Sequence, residues 1–261
     1  MAEPGAHRAR KRFGQHFLHD PAVIARIVRA IAPQPDQVLV EIGPGLGALT
    51  APLLEAAGAL TVIELDRDVI PHLREACGGS AALTVVQADA LRVDYTELAA
   101  GRRLRLAGNL PYNISTPLLF HLLDHAGAVE DMHFMLQKEV VRRICADPDT
   151  PDYGRLTATV AARAGAVELF TVGPGAFNPP PKVDSAVVRI VPRPAPFPIA
   201  DLARYDLIVT LAFNQRRKTL SNALRGEVSA EAFAAAGIDP RARGETLSPG
   251  QFARLANLGR G

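Results

Sequence analysis

Short apolar runs recur along the first three-quarters of the chain, at spacings that leave room for a helix between them. Gln37 to Ile42 reads QVLVEI, Leu60 to Leu65 reads LTVIEL, and Leu83 to Gln87 reads LTVVQ. Leu104 to Ala107, Met132 to Leu136 and the β-branched run Ala186 to Val191 continue the series. Runs of this length and composition predict buried strands, and helix-length spacers between them predict a parallel sheet with crossover helices. Leu49 to Ala57, just after the first run, reads as one of those helices. The pattern changes at Pro192-Arg-Pro-Ala-Pro-Phe-Pro198, where prolines at alternate positions forbid a helix interior or a central strand and form a stiff linker. Beyond it, Leu202 to Phe213, Ser221 to Leu224, Ala230 to Ala236 and Pro249 to Ala256 read as helices, with Ser229 and Ser248 placed as N-caps. The expected division is an α/β domain, residues 1–195, followed by a small all-α domain, residues 196–261.

Composition narrows the class. Of the 261 residues, 48% are apolar and 21% charged, the balance of a soluble globular protein. No apolar run approaches the roughly 20 residues of a membrane helix, and the basic, polar stretch Met1 to Arg12 has no apolar segment behind it. A cytoplasmic protein without membrane association is expected. Cys77 and Cys145 lack the C-x-x-C spacing of redox or zinc sites, so two reduced thiols and no metal are expected. Neither an H-E-x-x-H helix nor a G-x-S-x-G elbow occurs, which leaves metalloprotease and serine hydrolase chemistry without support. Net charge is only +2, yet Arg8, Arg10, Lys11 and Arg12 crowd one end and Arg216, Arg217 and Lys218 form a second basic cluster. Such clusters either follow a phosphate backbone or solvate a face, and charge alone does not choose.

The chemistry-bearing residues stand at the ends of successive predicted strands. Glu41-Ile-Gly-Pro-Gly-Leu-Gly47 turns a strand into a helix, and Gly43, Gly45 and Ala48 also satisfy the dinucleotide fingerprint. That loop indicates a nucleoside cofactor and leaves NAD and S-adenosylmethionine both open. Glu64, about twenty residues on, is placed to accept from ribose hydroxyls, and Asp89, one strand later, from an adenine amino group. The fourth strand leads into Asn109-Leu110-Pro111-Tyr112. The amino nitrogen of adenine is a poor nucleophile because its lone pair is delocalised into the ring. The Asn109 side-chain carbonyl and the Leu110 main-chain carbonyl can accept both amino hydrogens and orient that lone pair, with Pro111 fixing the backbone and Tyr112 offering a face to an extruded base. Asn-x-Pro alone is also a common turn.

Taken together, these residues closely resemble the ribosomal RNA adenine dimethyltransferases, specifically the bacterial small-subunit (16S) group. The resemblance covers nearly the whole chain. It includes Lys11-Arg-Phe-Gly-Gln-His-Phe-Leu18, Asn109 to Thr116, Phe177-Asn-Pro-Pro-Pro-Lys-Val-Asp-Ser185, Phe213 to Leu220 and Leu247 to Phe252. It implies a Rossmann-like class I S-adenosylmethionine-dependent methyltransferase domain followed by the small helical domain. It implies dimethylation of two adjacent adenosines near the 3′ end of small-subunit rRNA, with an immature small ribosomal subunit as partner and a monomeric enzyme. The implied cofactor contacts fall on His16, Leu18, Gly43, Gly45, Glu64, Asp89 and Asn109. Many relatives carry asparagine at the position of His16: a main-chain contact survives that change, and one through the side-chain amide does not carry over. Phe177 stands either as a wall of the base pocket opposite Tyr112 or as a core ring. Arg216, Arg217 and Lys218 become the expected RNA contacts. The competing readings are a large-subunit rRNA methyltransferase related to the macrolide-resistance enzymes, an assembly factor that only binds RNA, and an NAD-dependent oxidoreductase, for which no hydride-transfer site is marked.

Overall fold

The computed structural model describes residues 16–215 and 217–258; the N-terminal basic cluster and Arg216 lie outside the described residues. The strands are β1 (Phe17–Leu18), β2 (Val38–Ile42), β3 (Leu60–Glu64), β4 (Leu83–Gln87), β5 (Leu104–Asn109), β6 (Val129–Gln137), β7 (Ala164–Val172), β8 (Phe177–Asn178) and β9 (Ser185–Pro192). Seven form one sheet in the order β4-β3-β2-β5-β6-β9-β7, and β1 pairs with β8 in a separate two-stranded ribbon. From β4 to β6 the neighbours run parallel, while β9 returns antiparallel to β6. After β2 the chain builds outward through β3 and β4, then comes back to place β5 on the other side of β2. In an open α/β sheet that reversal leaves a crevice at the carboxyl ends of the two central strands.

Each expected strand is present, and β5, β6 and β9 run further than their apolar cores indicate. They are buried on both faces, which explains their nearly continuous apolar character. β7 has no counterpart in the hydrophobic pattern. It forms an edge of the sheet, contains Gly165, and keeps most side chains half-buried, so neither alternation nor a continuous run marks it.

Two compact units emerge, residues 1–141 with 167–192 and residues 142–166 with 193–261. In the first, helices α1 (Pro21–Ile31), α2 (Thr50–Ala57), α3 (Ile70–Ala76), α4 (Tyr95–Ala99) and α5 (Ser115–Asp124) connect the strands. Its core brings Ile27 and Ile31 of α1 and Leu53 of α2 against Leu39, Val62 and Met135 of the sheet. Asp20 caps α1 by accepting from the Ala22 and Val23 amides, with Pro21 at the first helical position. The other end of α1 is tied to the sheet by a buried cation. Arg105, 6% exposed, donates to the Ile31 carbonyl at 2.7 Å and to the Ala32 carbonyl at 3.3 Å. It also donates to both oxygens of buried Asp131, at 2.9 and 3.0 Å, and to Gln37 Oε1 at 2.7 Å. Burial works to raise the Asp131 carboxyl, but the Arg105 hydrogen bond, with His133, Arg105 and Arg189 charges adding, outweighs it and holds the group below its ordinary value.

The second unit contains α7 (Arg155–Ala161), α8 (Leu202–Asn214), α9 (Leu220–Ala223), α10 (Ala230–Ala236) and α11 (Pro249–Asn257); α6 (Lys138–Cys145) precedes them. The linear boundary at 195/196 lies close to the break at 192/193. What a linear reading does not contain is the membership of residues 142–166, and the packing explains it. Tyr205 of α8 donates to the Ala158 carbonyl at 2.9 Å, Arg163 pairs with Asp206, and Tyr153 donates to the Leu247 carbonyl at 2.7 Å. Ser229 and Ser248 cap α10 and α11 as expected, the latter in a reciprocal box with Gln251. Segment 193–201 is neither helix nor strand. No helix among the described residues is long and apolar enough to cross a membrane.

Candidate active site

The crevice is built by the loops that leave β2, β3, β4 and β5, together with β1 and the segment around β8. Gly43, Gly45 and Gly47 all hold positive φ, which L side chains rarely adopt. A β-carbon on Gly45 would come within 3.2 Å of the Phe17 ring, and one on Gly43 would reach 3.8 Å from Pro111. The glycine loop is thus sandwiched between β1 and the Asn109–Tyr112 turn. At the foot of the loop Glu41 is 1% exposed, and its Oε2 has no hydrogen-bond partner among the described residues. Burial, with the Glu64 charge adding, pushes the Glu41 carboxyl up to about 7.

Glu64 ends β3. Its Oε1 accepts from the Asp66 amide at 2.7 Å and its Oε2 from the Gly45 amide at 3.3 Å, so the carboxylate fastens the glycine loop to the neighbouring strand end. Burial raises it despite those bonds. Asp89 follows β4 and accepts from the Leu91 amide at 3.0 Å, which shapes the turn it sits in. Leu65, next to Glu64, is 54% exposed, a large apolar side chain left open at the same edge.

The Asn109 turn is held from three sides. Asn109 donates through Nδ2 to the His16 carbonyl at 3.1 Å. The Leu110 amide donates to the Met135 carbonyl at 3.1 Å, and the Leu110 side chain is buried. The Ile114 amide donates to the Pro111 carbonyl at 3.2 Å, closing the turn that leads into α5. Tyr112, half-buried, shares a hydrogen bond of 3.0 Å with the fully buried Ser185 hydroxyl. Burial raises its phenol, partly offset by that bond. The His16 ring stacks on the Tyr112 ring, centroids 5.7 Å apart at 29°. Gly108, just before the turn, cannot carry a side chain: a β-carbon there would lie 2.3 Å from the Ile42 carbonyl oxygen.

The expected cofactor residues Gly43, Gly45, Glu64, Asp89 and Asn109 therefore all stand at or just past the carboxyl ends of β2, β3, β4 and β5. His16 joins them through its carbonyl on Asn109. Leu18 is buried and pairs with Phe177 across the β1–β8 ribbon, so only its main chain faces the question of ligand contact. Phe177 is 3% exposed and belongs to the core cluster of Leu18, Met135 and Val187. Arg217 and Lys218 are exposed in the second unit. Phe17, Leu65, Glu41, Gly108 and Ser185 were given no role of their own in the sequence. Phe17, Glu41 and Ser185 lie inside the quoted motifs, and Leu65 and Gly108 directly adjoin Glu64 and Asn109.

A model of the ribosomal RNA adenine dimethylase family matches residues 6–259. The chain belongs to that family. The small subunit methyltransferase A of Pseudomonas aeruginosa is 54% identical to it over 259 residues, covering 98% of this chain and 97% of the relative. That of Nitrosococcus oceani is 57% identical over 244 residues, covering 93% and 92%. Among solved structures, a dimethyladenosine transferase from Plasmodium falciparum superposes with a TM-score of 0.78 at 25% identity, covering 92% of this chain and 96% of that one. The 23S rRNA methyltransferase ErmE gives 0.71 at 30%, covering 92% and 98%. The fold is the Rossmann-like class I methyltransferase fold of the family.

The cofactor of this dimethylase family, S-adenosylmethionine, carries a sulfonium and an ammonium next to a nucleoside. The residues present fit it. Glu64, Asp66 and Asp89 give the strand ends an acidic character suited to a cationic ligand and opposed to the diphosphate of a dinucleotide. The glycine loop would give backbone access, the Glu64 carboxylate would be placed to accept from a ribose, and exposed Leu65 would offer an apolar surface to a base. Among the described residues no group of three or more His, Cys, Asp or Glu stands where it could hold a metal.

Proposed function

We propose that the protein dimethylates the N6 amino groups of two adjacent adenosines near the 3′ end of 16S rRNA, using S-adenosylmethionine and acting as a cytoplasmic monomer on an immature small subunit. The observation that carries this reading is the orientation of Asn109. One of its two Nδ2 hydrogens goes to the His16 carbonyl, an atom that can only accept. Its Oδ1 is then the acceptor presented to the crevice, opposite in sense to the amino group it must hold. With the Leu110 carbonyl as second acceptor, both amino hydrogens are held as the nitrogen becomes pyramidal. The lone pair is thereby localised on the nitrogen and directed at the donor. Tyr112 supplies an aromatic face for the extruded base. The bound cofactor supplies a methyl group made electrophilic by its sulfonium, so the chain's contribution is alignment and charge stabilisation, without a strong base.

The relatives at 54% and 57% identity bear small-subunit names, whereas the large-subunit enzyme ErmE stands at 30%, which favours the small subunit as target. Exposed Arg217 and Lys218, with Arg216 between the same helices in sequence, are the proposed phosphate contacts.

The test is single-turnover methyl transfer to immature small subunits at saturating enzyme and cofactor. Removing one preorganised dipole costs ~3 kcal/mol, or on the order of a hundredfold in rate. Asn109→Ala should lose at least that much while RNA affinity stays near wild type. Tyr112→Phe should be mild and Tyr112→Ala severe. A near-normal rate for Asn109→Ala would end the amine-clamp reading.

A further inference from the structure

We propose that His16 is the positioning residue of the amine clamp: its main-chain carbonyl sets the orientation of the Asn109 amide and its imidazole braces the Tyr112 ring. This rests on the clamp reading above and deepens it. The terminal torsion of asparagine is broad and nearly two-fold, so rotamer preference alone does not decide which end of the Asn109 amide faces the crevice. A partner that can only accept does decide it, and His16 O, 3.1 Å from Nδ2, is that partner.

The position of this carbonyl is itself fixed from two directions. His16 continues directly into β1, whose Phe17 and Leu18 pair with Asn178 and Phe177 of β8, and the His19 amide donates to the Ala176 carbonyl at 2.9 Å. The His16 side chain adds a further tie. Nδ1 lies 2.7 Å from the Pro179 carbonyl oxygen. That oxygen cannot donate, so Nδ1 carries the proton and the imidazole is anchored to the segment just past β8.

The anchored imidazole then meets Tyr112, with 5.7 Å between centroids and 29° between planes, a geometry within the range of favourable ring pairs. At its far end the Tyr112 hydroxyl is tied to Ser185 at 3.0 Å. One residue thus touches both working side chains of the turn, and does so from a different part of the chain. The two roles of the imidazole are chemically separable. An asparagine amide places an N–H on the same γ-branch as Nδ1 and can keep the bond to the Pro179 carbonyl, but has no ring to stack. A phenylalanine keeps the ring and has no donor.

Three variants read this out: His16→Ala, His16→Asn and His16→Phe. Each is measured in single-turnover methylation of immature small subunits at saturating enzyme and S-adenosylmethionine, beside cofactor affinity, subunit affinity and melting temperature. His16→Ala should slow methyl transfer about tenfold, the combined effect of one hydrogen bond and one ring pair, with subunit affinity within about twofold of wild type. His16→Asn, His16→Phe or both should recover part of the rate, which a general loss of stability would not allow. A wild-type rate for His16→Ala, a loss that vanishes once cofactor is saturating, or no recovery by either replacement in folded protein would overturn the proposal. Asn109→Ala in the same assay separates the two levels. If it is slow while His16→Ala is normal, only the role of His16 fails; if it too is normal, the clamp itself fails.

Discussion

Replacing Glu41 by glutamine should change how the stability of the ligand-free protein responds to pH, and the change can be sized from the structure. The carboxyl lies at the penultimate position of β2, 1% exposed, with Oε2 lacking a partner among the described residues. Burial holds its proton on until about pH 7, where the unfolded chain gives it up near 4.5. Below pH 4.5 both states are protonated and the residue is neutral to stability. Between 4.5 and 7 the native state binds more protons than the unfolded state, so stability falls as pH rises, by about 1.4 kcal/mol for each pH unit. Above 7 the loss levels at about 3 kcal/mol, a sizeable part of the 5–15 kcal/mol typical of a folded domain. Glutamine is nearly isosteric and does not titrate. Urea denaturation of both proteins from pH 5 to 8 should give curves that diverge, with Glu41→Gln increasingly the more stable. Glu64, raised in the same direction, is present in both, and its charge is one cause of the Glu41 shift. Parallel curves would show that Glu41 is already ionised in the fold, and the buried-acid argument would be wrong.

Three further outcomes are expected. Glu64→Ala should weaken S-adenosylmethionine binding by the roughly 1.5–3 kcal/mol of a charge-assisted hydrogen bond, measured calorimetrically in a variant that still folds; unchanged affinity would remove Glu64 from the ribose site. Arg105→Met should destabilise by about 3–5 kcal/mol because it leaves the Asp131 carboxylate buried without its main partner, and Arg105→Met with Asp131→Leu should regain most of that in urea denaturation. Neutralising Arg217 or Lys218 should lower affinity for immature subunits and flatten the log–log salt dependence by about one; an unchanged slope would make the cluster a solvated face.

The parts of the fold legible in the chain are those where a single local rule governs. β2, β3, β5 and β6 are largely buried and read as apolar runs, and the glycine loop is marked because positive φ at Gly43 and Gly45 demands glycine itself. Asn109-Leu-Pro-Tyr is legible because its chemistry is carried by the tetrapeptide alone. Features that depend on what another segment does leave no such mark. His16 on Tyr112 joins positions about a hundred residues apart, and nothing near either predicts the other. Phe177 has the same local sequence whether its ring is open or packed against Leu18 and Met135, and only the β1–β8 pairing decides. Residues 142–166 carry no compositional break, and Tyr205 and Arg163 show where they belong only after the chain has folded.

At Gly108 the two central strand ends meet through main chain alone, with the Ile42 carbonyl in the space a β-carbon would need. Ile42 leads into the glycine loop and Gly108 into the Asn109 turn, so on the proposed reading the separation of the donor side from the acceptor side is a backbone dimension. Side chains hop between rotamers, whereas strand backbones in register scarcely move. The spacing across which a methyl group passes is therefore gauged by the stiffest material the fold possesses. It is exposed to mutation at one atom's width, the missing β-carbon of Gly108.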